Sequence, residues 1–277
     1  MHSPYLNRLN ADELQQLKED LLKIQCGRCF IDDEVIDLKL HEVHIDHVIP
    51  LKSGGKDDPS NFALTHSWCN ESKQDANLRI ARVLAKFKKI RNSITDRGPN
   101  LSDIFFVYGG SKYELSYDYD AENEDFIRYS FPQLKDNNIY VDKIYRDELS
   151  GFRYFFAVLP IEYIFHDDKI NPRSIGQNIS KLVKEFYLKF PQLHISLGWI
   201  DSENKGKCKI RLFDGQHKAA AQILLGIKRL PMRIFIISSQ LELDALITAN
   251  THAGTNLKQI AFDKSVQSHL GTLTPHR

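Results

Sequence analysis

The sequence predicts an α+β chain in which a small ββα domain precedes an α/β domain. Three observations lead there. Two matched pairs of metal-binding residues bracket a strand, turn and helix pattern between Cys26 and Lys73. An alternating strand, Lys207 to Phe213, runs straight into Asp214-Gly215 and an alanine-rich helix, as α/β units do. The length of 277 residues exceeds that of most single domains, so two cores joined by a connecting region are expected. The expected division is 1–97 for the first domain with a basic helix, 98–154 for a β-rich connector and 155–277 for the second domain.

Composition excludes several classes. Hydrophobic residues at 42% and charged residues at 26% fit a water-soluble globular chain and argue against disorder, a fibre or a membrane protein. A formal net charge of +1 gives no overall pull toward nucleic acid, so any basic surface must arise by local clustering. The stretch from Met1 to Asn10 lacks a signal-peptide core, and no run approaches the roughly 20 apolar residues that span a bilayer. A cytoplasmic location with no membrane partner is the default expectation. In that reducing setting Cys26, Cys29 and Cys69, crowded into the first quarter, favour metal over disulfides. Cys208 stands alone and reads as a small buried residue.

Taken in order, Asn10 caps a helix whose Leu14, Leu17, Leu21 and Ile24 recur at helical spacing, with Glu13 completing a capping box. Glu42 to Asn70 reads as a strand, a Gly-Gly turn, a loop and the start of a helix. From Lys73 to Arg97 a basic helix follows, ending at Gly98-Pro99, and it is either a solvated face or a DNA contact. The aromatic stretch from Phe105 to Tyr154 has strand-like composition. Beyond Phe155 a helix carries Ile175, Ile179, Leu182, Val183, Phe186 and Phe190 on one side. The Lys207 to Phe213 strand feeds an alanine-rich helix that stops at Gly226. Met232 to Ile237 form a further strand, and Ser239 with Glu242 box the start of a helix to Asn250. The ending, Gly271 to Arg277, has no clear terminal element, which is expected of a truncated chain.

Cys26-Gly27-Arg28-Cys29 and His66-Ser67-Trp68-Cys69 share the same two-residue gap. Four such ligands suit tetrahedral zinc, which would tie two arms of a domain with little core of its own. Between the pairs stand His44, Asp46-His47, Gly54-Gly55 and Asn61, and after Cys69 come Asn70 and Lys73. Over about fifty residues this order resembles the HNH endonuclease family, with asparagine at the third signature position.

The resemblance implies a metal-dependent cut of DNA. Phosphodiester hydrolysis needs a base for the attacking water and a cation on the phosphate and the leaving oxygen. His47 is the expected base, since an imidazole with a pKa of about 6.5 accepts a proton near neutrality. Asp46 is the expected ligand of Mg²⁺ or Mn²⁺, and the resemblance makes Asn70 the second. Asn61 would brace the loop that holds His47. Lys73, Arg79 and Arg82 are the expected DNA contacts. Alternation puts His44 on the strand face of Asp46, as an extra ligand or a substrate contact.

A second resemblance begins at Val158. Leu159-Pro160-Ile161, Asn171-Pro172-Arg173, Asp214-Gly215-Gln216-His217-Lys218, Leu225-Gly226, Leu230-Pro231 and Asn250 to Leu257 follow the order of the ParB/sulfiredoxin superfamily, especially DGQHR-motif proteins related to DndB. Lys218 replaces the usual arginine and loses its bidentate phosphate geometry. A strand delivering Asp-Gly into a helix amino terminus makes an anion site. By resemblance Arg173, Asp214, Gly215, Gln216, His217 and Lys218 would bind a nucleotide, ATP or CTP, or the DNA backbone. Gln216 at the reactive-cysteine position argues against sulfinic-acid repair. The bland reading is that Asp214-Gly215 is simply a tight turn.

Together the halves suggest a DNA cutter licensed by a nucleotide- or DNA-sensing domain, as in bacterial restriction or phage defence, with other defence subunits or a second copy as expected partners. A rival is a DNA-binding regulator in which the first domain is only a zinc-stabilised module. A third is an enzyme acting mainly through the second domain.

Overall fold

The computed structural model describes residues 3–73, 77–118, 125–135, 138–176, 178–203 and 206–253, and its architecture is α+β. In chain order the first elements are α1 (Ala11–Ile24), β1 (Val43–His47), β2 (Phe62–His66), α2 (Ser67–Lys73) and α3 (Leu78–Asn92). Next come α4 (Leu101–Tyr108), β3 (Leu115–Asp118), β4 (Phe126–Ser130), β5 (Ile139–Lys143), β6 (Tyr145–Arg146), β7 (Arg153–Pro160) and β8 (Ile164–His166). The rest are α5 (Ile179–Tyr187), β9 (Ser196–Asp201), β10 (Lys207–Cys208), β11 (Ile210–Asp214), α6 (Gln216–Leu224), β12 (Arg229–Ile237) and α7 (240–253). No described helix is long and apolar enough to cross a membrane.

The described residues fall into two compact units. One holds the chain to Pro99 together with Gly176–Pro191 and Ala220–Gly226, and the other holds Asn100–Ile175, Gln192–Ala219 and the chain from Ile227 on. In the first unit the capping box of Asn10 and Glu13 starts α1 as expected. Its inner face differs from the expectation: Leu17, Leu21 and Leu22 pack into the core, whereas Ile24 is exposed. β1 and β2 pair antiparallel, from Val43 opposite His66 to His47 opposite Phe62. Every residue of β2 is buried, so this strand is the floor of the unit. Leu64, Phe62 and Ala63 pack there with Leu21, Ile31, Ile36, Leu78 and Ala81.

The single basic helix expected over Lys73 to Arg97 is two elements. Asn77 has extended backbone and its side chain accepts the Arg79 amide, so a new helix begins at Leu78 and closes at Ser93.

The second unit contains two sheets. Residues 98–154 open with a helix, because Asn100 and Asp103 form a second capping box and Gly109 closes α4 in the left-handed region at φ 80°. The aromatic residues that follow serve packing: Tyr129, Phe131, Tyr140 and Tyr163 interlock by ring contacts beside a four-stranded sheet of order β10-β3-β4-β5. The other sheet has six strands in the order β6-β7-β12-β9-β11-β8 and mixes antiparallel with parallel pairs. The expected strand over Lys207 to Phe213 is shared between the sheets: β10 pairs with β3, then β11 pairs with β8 and β9. Cys208 is buried, as the sequence indicates, and burial pushes its thiol up to about 12. Glu242 donates its amide to Ser239 Oγ, but its carboxylate accepts from Ser238. The cap therefore spans two serines. The Asn250 to Leu257 match lies outside the described residues beyond position 253.

Candidate metal centre and active site

Two groups of side chains converge on the β1–β2–α2 hairpin and helix. The first is a cluster of Cys29, Asp32, His66 and Cys69 whose ligand atoms all lie within 4.8 Å of one another. A tight turn supplies two of these residues. The Cys29 amide donates to the Glu34 carbonyl at 2.9 Å, the Asp33 amide donates back to Cys29 at 3.1 Å, and Asp33 adopts a left-handed φ of 64°. His66 ends β2 and Cys69 lies in the first turn of α2, so the strand-to-helix junction supplies the other two. Gln25 ties the arm to the floor, since its Oε1 accepts the Leu64 amide at 2.8 Å and its Nε2 donates to the Leu64 carbonyl at 2.9 Å.

The sequence expectation named Cys26, Cys29, His66 and Cys69. The structure brings the last three together with Asp32 in the fourth place, while Cys26 is exposed on a left-handed backbone at φ 55° outside the cluster. The Asp32 carboxylate accepts from the Cys69 thiol at 2.9 Å and lies 3.2 Å from His66 Nδ1. Burial works against ionisation of Asp32. Hydrogen bonds from Cys69, the Glu34 amide and Cys29, with the His66 charge, outweigh it and hold the carboxyl at about 2. Burial pushes both cysteine thiols up, with the Asp32 carboxylate adding to it at each, and backbone hydrogen bonds offset part of the rise at Cys29.

These donors fit zinc. Two sulfurs, a nitrogen and a carboxylate oxygen are its usual ligands, and their convergence on one small volume is what tetrahedral coordination requires. The ring nitrogen that faces the cluster is His66 Nδ1, 3.2 Å from Asp32, while Nε2 is buried without a hydrogen-bond partner. The His66 ring is fixed by stacking on Trp68 at 4.1 Å and by the edge of His41 at 5.0 Å.

The second group is carried by β1. His47 is mostly buried against the edge of Phe62 at 5.0 Å, and its Nε2 lies 2.9 Å from Asp57 Oδ1. Its Nδ1 faces Asp46, 4.0 Å from Oδ1. Asn61 is the clamp of the loop between the strands. Its Nδ2 donates to the carbonyls of Ile49 and Lys56 at 2.9 and 2.8 Å, and its Oδ1 accepts the Ile49 amide at 3.0 Å. The Gly-Gly turn is required by that clamp: Gly54 takes φ 83°, and a Cβ on Gly55 would stand 1.9 Å from the Ile49 carbonyl oxygen. Asn70, on the helix that packs on both strands, meets His44 at 3.3 Å between Nδ2 and Nδ1. Asp46 stands two residues along β1 from His44, on the same face by strand alternation.

Of the cations expected at DNA, Lys73 has its side chain outside the described part, and Arg79 is exposed on α3. Arg82 is engaged within the protein. It pairs with Asp33 at 3.2 Å, donates to the Phe30 carbonyl at 3.2 Å and lies over the Phe30 ring, so it braces the turn that carries Cys29 and Asp32. Asp57 is the site residue that sequence reasoning missed. Its only signal was an acidic pair in a turn-rich loop.

In the second unit, Gly215 takes φ 82°, and a Cβ there would stand 2.7 Å from Ser196 Oγ. Gln216 is buried, donates to Asn171 Oδ1 at 3.2 Å, and leaves its own Oε1 unpartnered. Asn171 donates to the Phe213 carbonyl at 2.8 Å. His217 is held below the usual imidazole range by burial and by the Arg173 charge, with Asp214 opposing. Arg173, Asp214 and His217 therefore lie within electrostatic reach of one another, and Lys218 is half-buried beside them in sequence.

Residues 26–76 match the family model described as HNH endonuclease. No curated protein and no solved structure matches the chain.

Proposed function

We propose that this chain is a metal-dependent DNA endonuclease that cuts at the His47 site and that its second unit regulates the cut. The observation that carries the reading is the position of His47: clamped by Asn61's loop, its Nδ1 faces Asp46 on the strand beside α2 and Asn70. His47 takes the proton of the attacking water. Asp46 and Asn70 would hold Mg²⁺ or Mn²⁺, which when bound neutralises charge on the phosphate and the departing oxygen. His44 orients the Asn70 amide through its Nδ1 contact. Asn61 keeps the loop closed so that the imidazole holds one position. The Cys29, Asp32, His66 and Cys69 cluster serves as the structural zinc site.

Regulation by the second unit is supported by the buried Gln216 and Asn171 network at the start of α6, with Arg173 and His217 nearby. That set suits a phosphate-bearing ligand, ATP or CTP in a ParB-like domain, and a role in bacterial restriction or phage defence follows by analogy.

The test is cleavage of supercoiled plasmid, unmodified or carrying phage-type modified bases, with Mg²⁺ or Mn²⁺, with and without ATP or CTP. Metal-dependent cutting that is lost in His47→Ala supports the nuclease. Dependence on nucleotide or modification supports the sensor. Wild type and His47→Ala equally inactive on every substrate would move the reading to a DNA-binding module.

A further inference from the structure

We propose that Asp57 is a positioning residue for His47: together with the segment Ser3 to Tyr5 it fixes the ring so that Nδ1, not Nε2, is presented to the reacting water. This rests on the reading of His47 as the base. Its geometry is a relay of three contacts. The Ser3 hydroxyl donates to Asp57 Oδ1, the Tyr5 amide donates to Oδ2 at 2.9 Å, and Oδ1 then lies 2.9 Å from His47 Nε2.

Both carboxylate oxygens are thus engaged, and Asp57 cannot swing away without breaking a bond at each. The turn at the chain's start is itself tied, because the Leu6 amide donates to Ser3 Oγ at 3.1 Å. Tyr5 and His47 also meet Phe62 edge-on, at 5.6 and 5.0 Å, so one buried ring aligns the segment and the imidazole.

Chemistry fixes the sense of the contact. A carboxylate only accepts, so the neutral imidazole must keep its proton on Nε2. The Ser3 hydroxyl, followed by the Tyr5 amide and His47 itself, holds the Asp57 carboxyl below the usual carboxylate range, so it stays ionised. The lone pair is then on Nδ1, the nitrogen on the Asp46 side. An imidazole free to flip or to change tautomer would present a protonated nitrogen to water for part of the time. Removing the partner that orients a metal-ligating histidine through its second nitrogen costs about 10- to 100-fold, and an effect of at least that scale is expected for an oriented base.

The experiment compares wild type with Asp57→Ala and with Asp57→Asn, which retains the shape if the alanine variant misfolds. Retained zinc content and melting behaviour verify the fold. Two readouts follow: kcat and KM for plasmid cleavage, and the His47 tautomer from nitrogen-15 NMR of the full chain. Expected are a 10- to 100-fold fall in kcat with KM for DNA within about twofold, and a His47 that is Nε2-protonated in wild type and mixed in both variants. An unchanged tautomer in the variants overturns the proposal whatever the activity. So does an unchanged kcat in an active nuclease. A wild type that never cuts DNA but whose tautomer shifts on losing Asp57 retains the positioning contact while removing the nuclease reading.

Discussion

Replacing Asn61 tests whether the loop clamp, rather than any catalytic contact, is what this residue contributes. Asn61 is 8% exposed and makes three hydrogen bonds to the loop backbone, two as donor and one as acceptor. At about 1 kcal/mol net for each, Asn61→Ala loses about 3 kcal/mol. The turn bonds from Ser53 and Gly55 to the Pro50 carbonyl stay in place, which keeps the cost from rising further. Asn61→Asp is the sharper perturbation. It retains the acceptor for the Ile49 amide but sets a carboxylate oxygen against the carbonyls of Ile49 and Lys56, so its loss exceeds that of alanine. For a unit of about a hundred residues, such as the one that holds Asn61, about 3 kcal/mol lowers the melting temperature by roughly 12 to 24 °C. Thermal unfolding of zinc-saturated protein, followed by circular dichroism or calorimetry, reads the difference. The expected order of stability is wild type, then alanine, then aspartate. An aspartate variant as stable as alanine, or an alanine variant melting within about 2 °C of wild type, would refute the clamp.

Zinc binding separates the two candidates for the fourth ligand: Asp32→Ala should weaken it at least tenfold and Cys26→Ser should leave it unchanged, as measured by competition with a chelating dye. The reverse result would return Cys26 to the site. Because burial holds Cys29 and Cys69 protonated near neutrality, each zinc bound should release two protons and apparent affinity should rise with pH. Calorimetry in buffers of different ionisation enthalpy counts those protons, and a count near zero would mean that the thiols are not ligands. Arg82→Ala should lower the melting temperature through the loss of its Asp33 and Phe30 contacts. If it instead weakens DNA binding with no change in stability, Arg82 belongs to the DNA surface.

Much of the first unit was legible because its signals are local. The capping box of Asn10, the Gly-Gly turn and the Asn61 position each follow from a few neighbouring residues. Cys29, His66 and Cys69 were found by pair spacing, and the same spacing drew attention to Cys26. Asp32 follows no such rule, since only the fold of the turn from Cys29 to Glu34 aims it at the sulfurs. Asp57 was invisible for a different reason: its meaning comes from residues 3 and 5, which no local pattern joins to it. The break in the basic helix could have been read from Asn77 and the start of α4 from Asn100, as both are ordinary caps set among stronger charge and aromatic signals. The division of the Lys207 to Phe213 strand between two sheets had no local signal, because alternation is the same in either sheet.

The zinc-suited cluster and the His47 group of the first unit are not independent in structure. Cys69 and Asn70 are neighbours in α2, one turned to the sulfur cluster and the other to His44 on β1. β2 likewise ends in His66 of the cluster and begins beside Asn61, the clamp of the His47 loop. The core beneath them is small, and two of its members, Cys29 and Cys69, are themselves members of the cluster. The described part of α2 packs on both strands, so its position is tied to its anchors at both ends of the chemistry. Drawing Cys69 and His66 onto one ion would therefore also fix where Asn70 stands. In such a domain the zinc-suited cluster also sets the geometry of the proposed site at Asp46, His47 and Asn70.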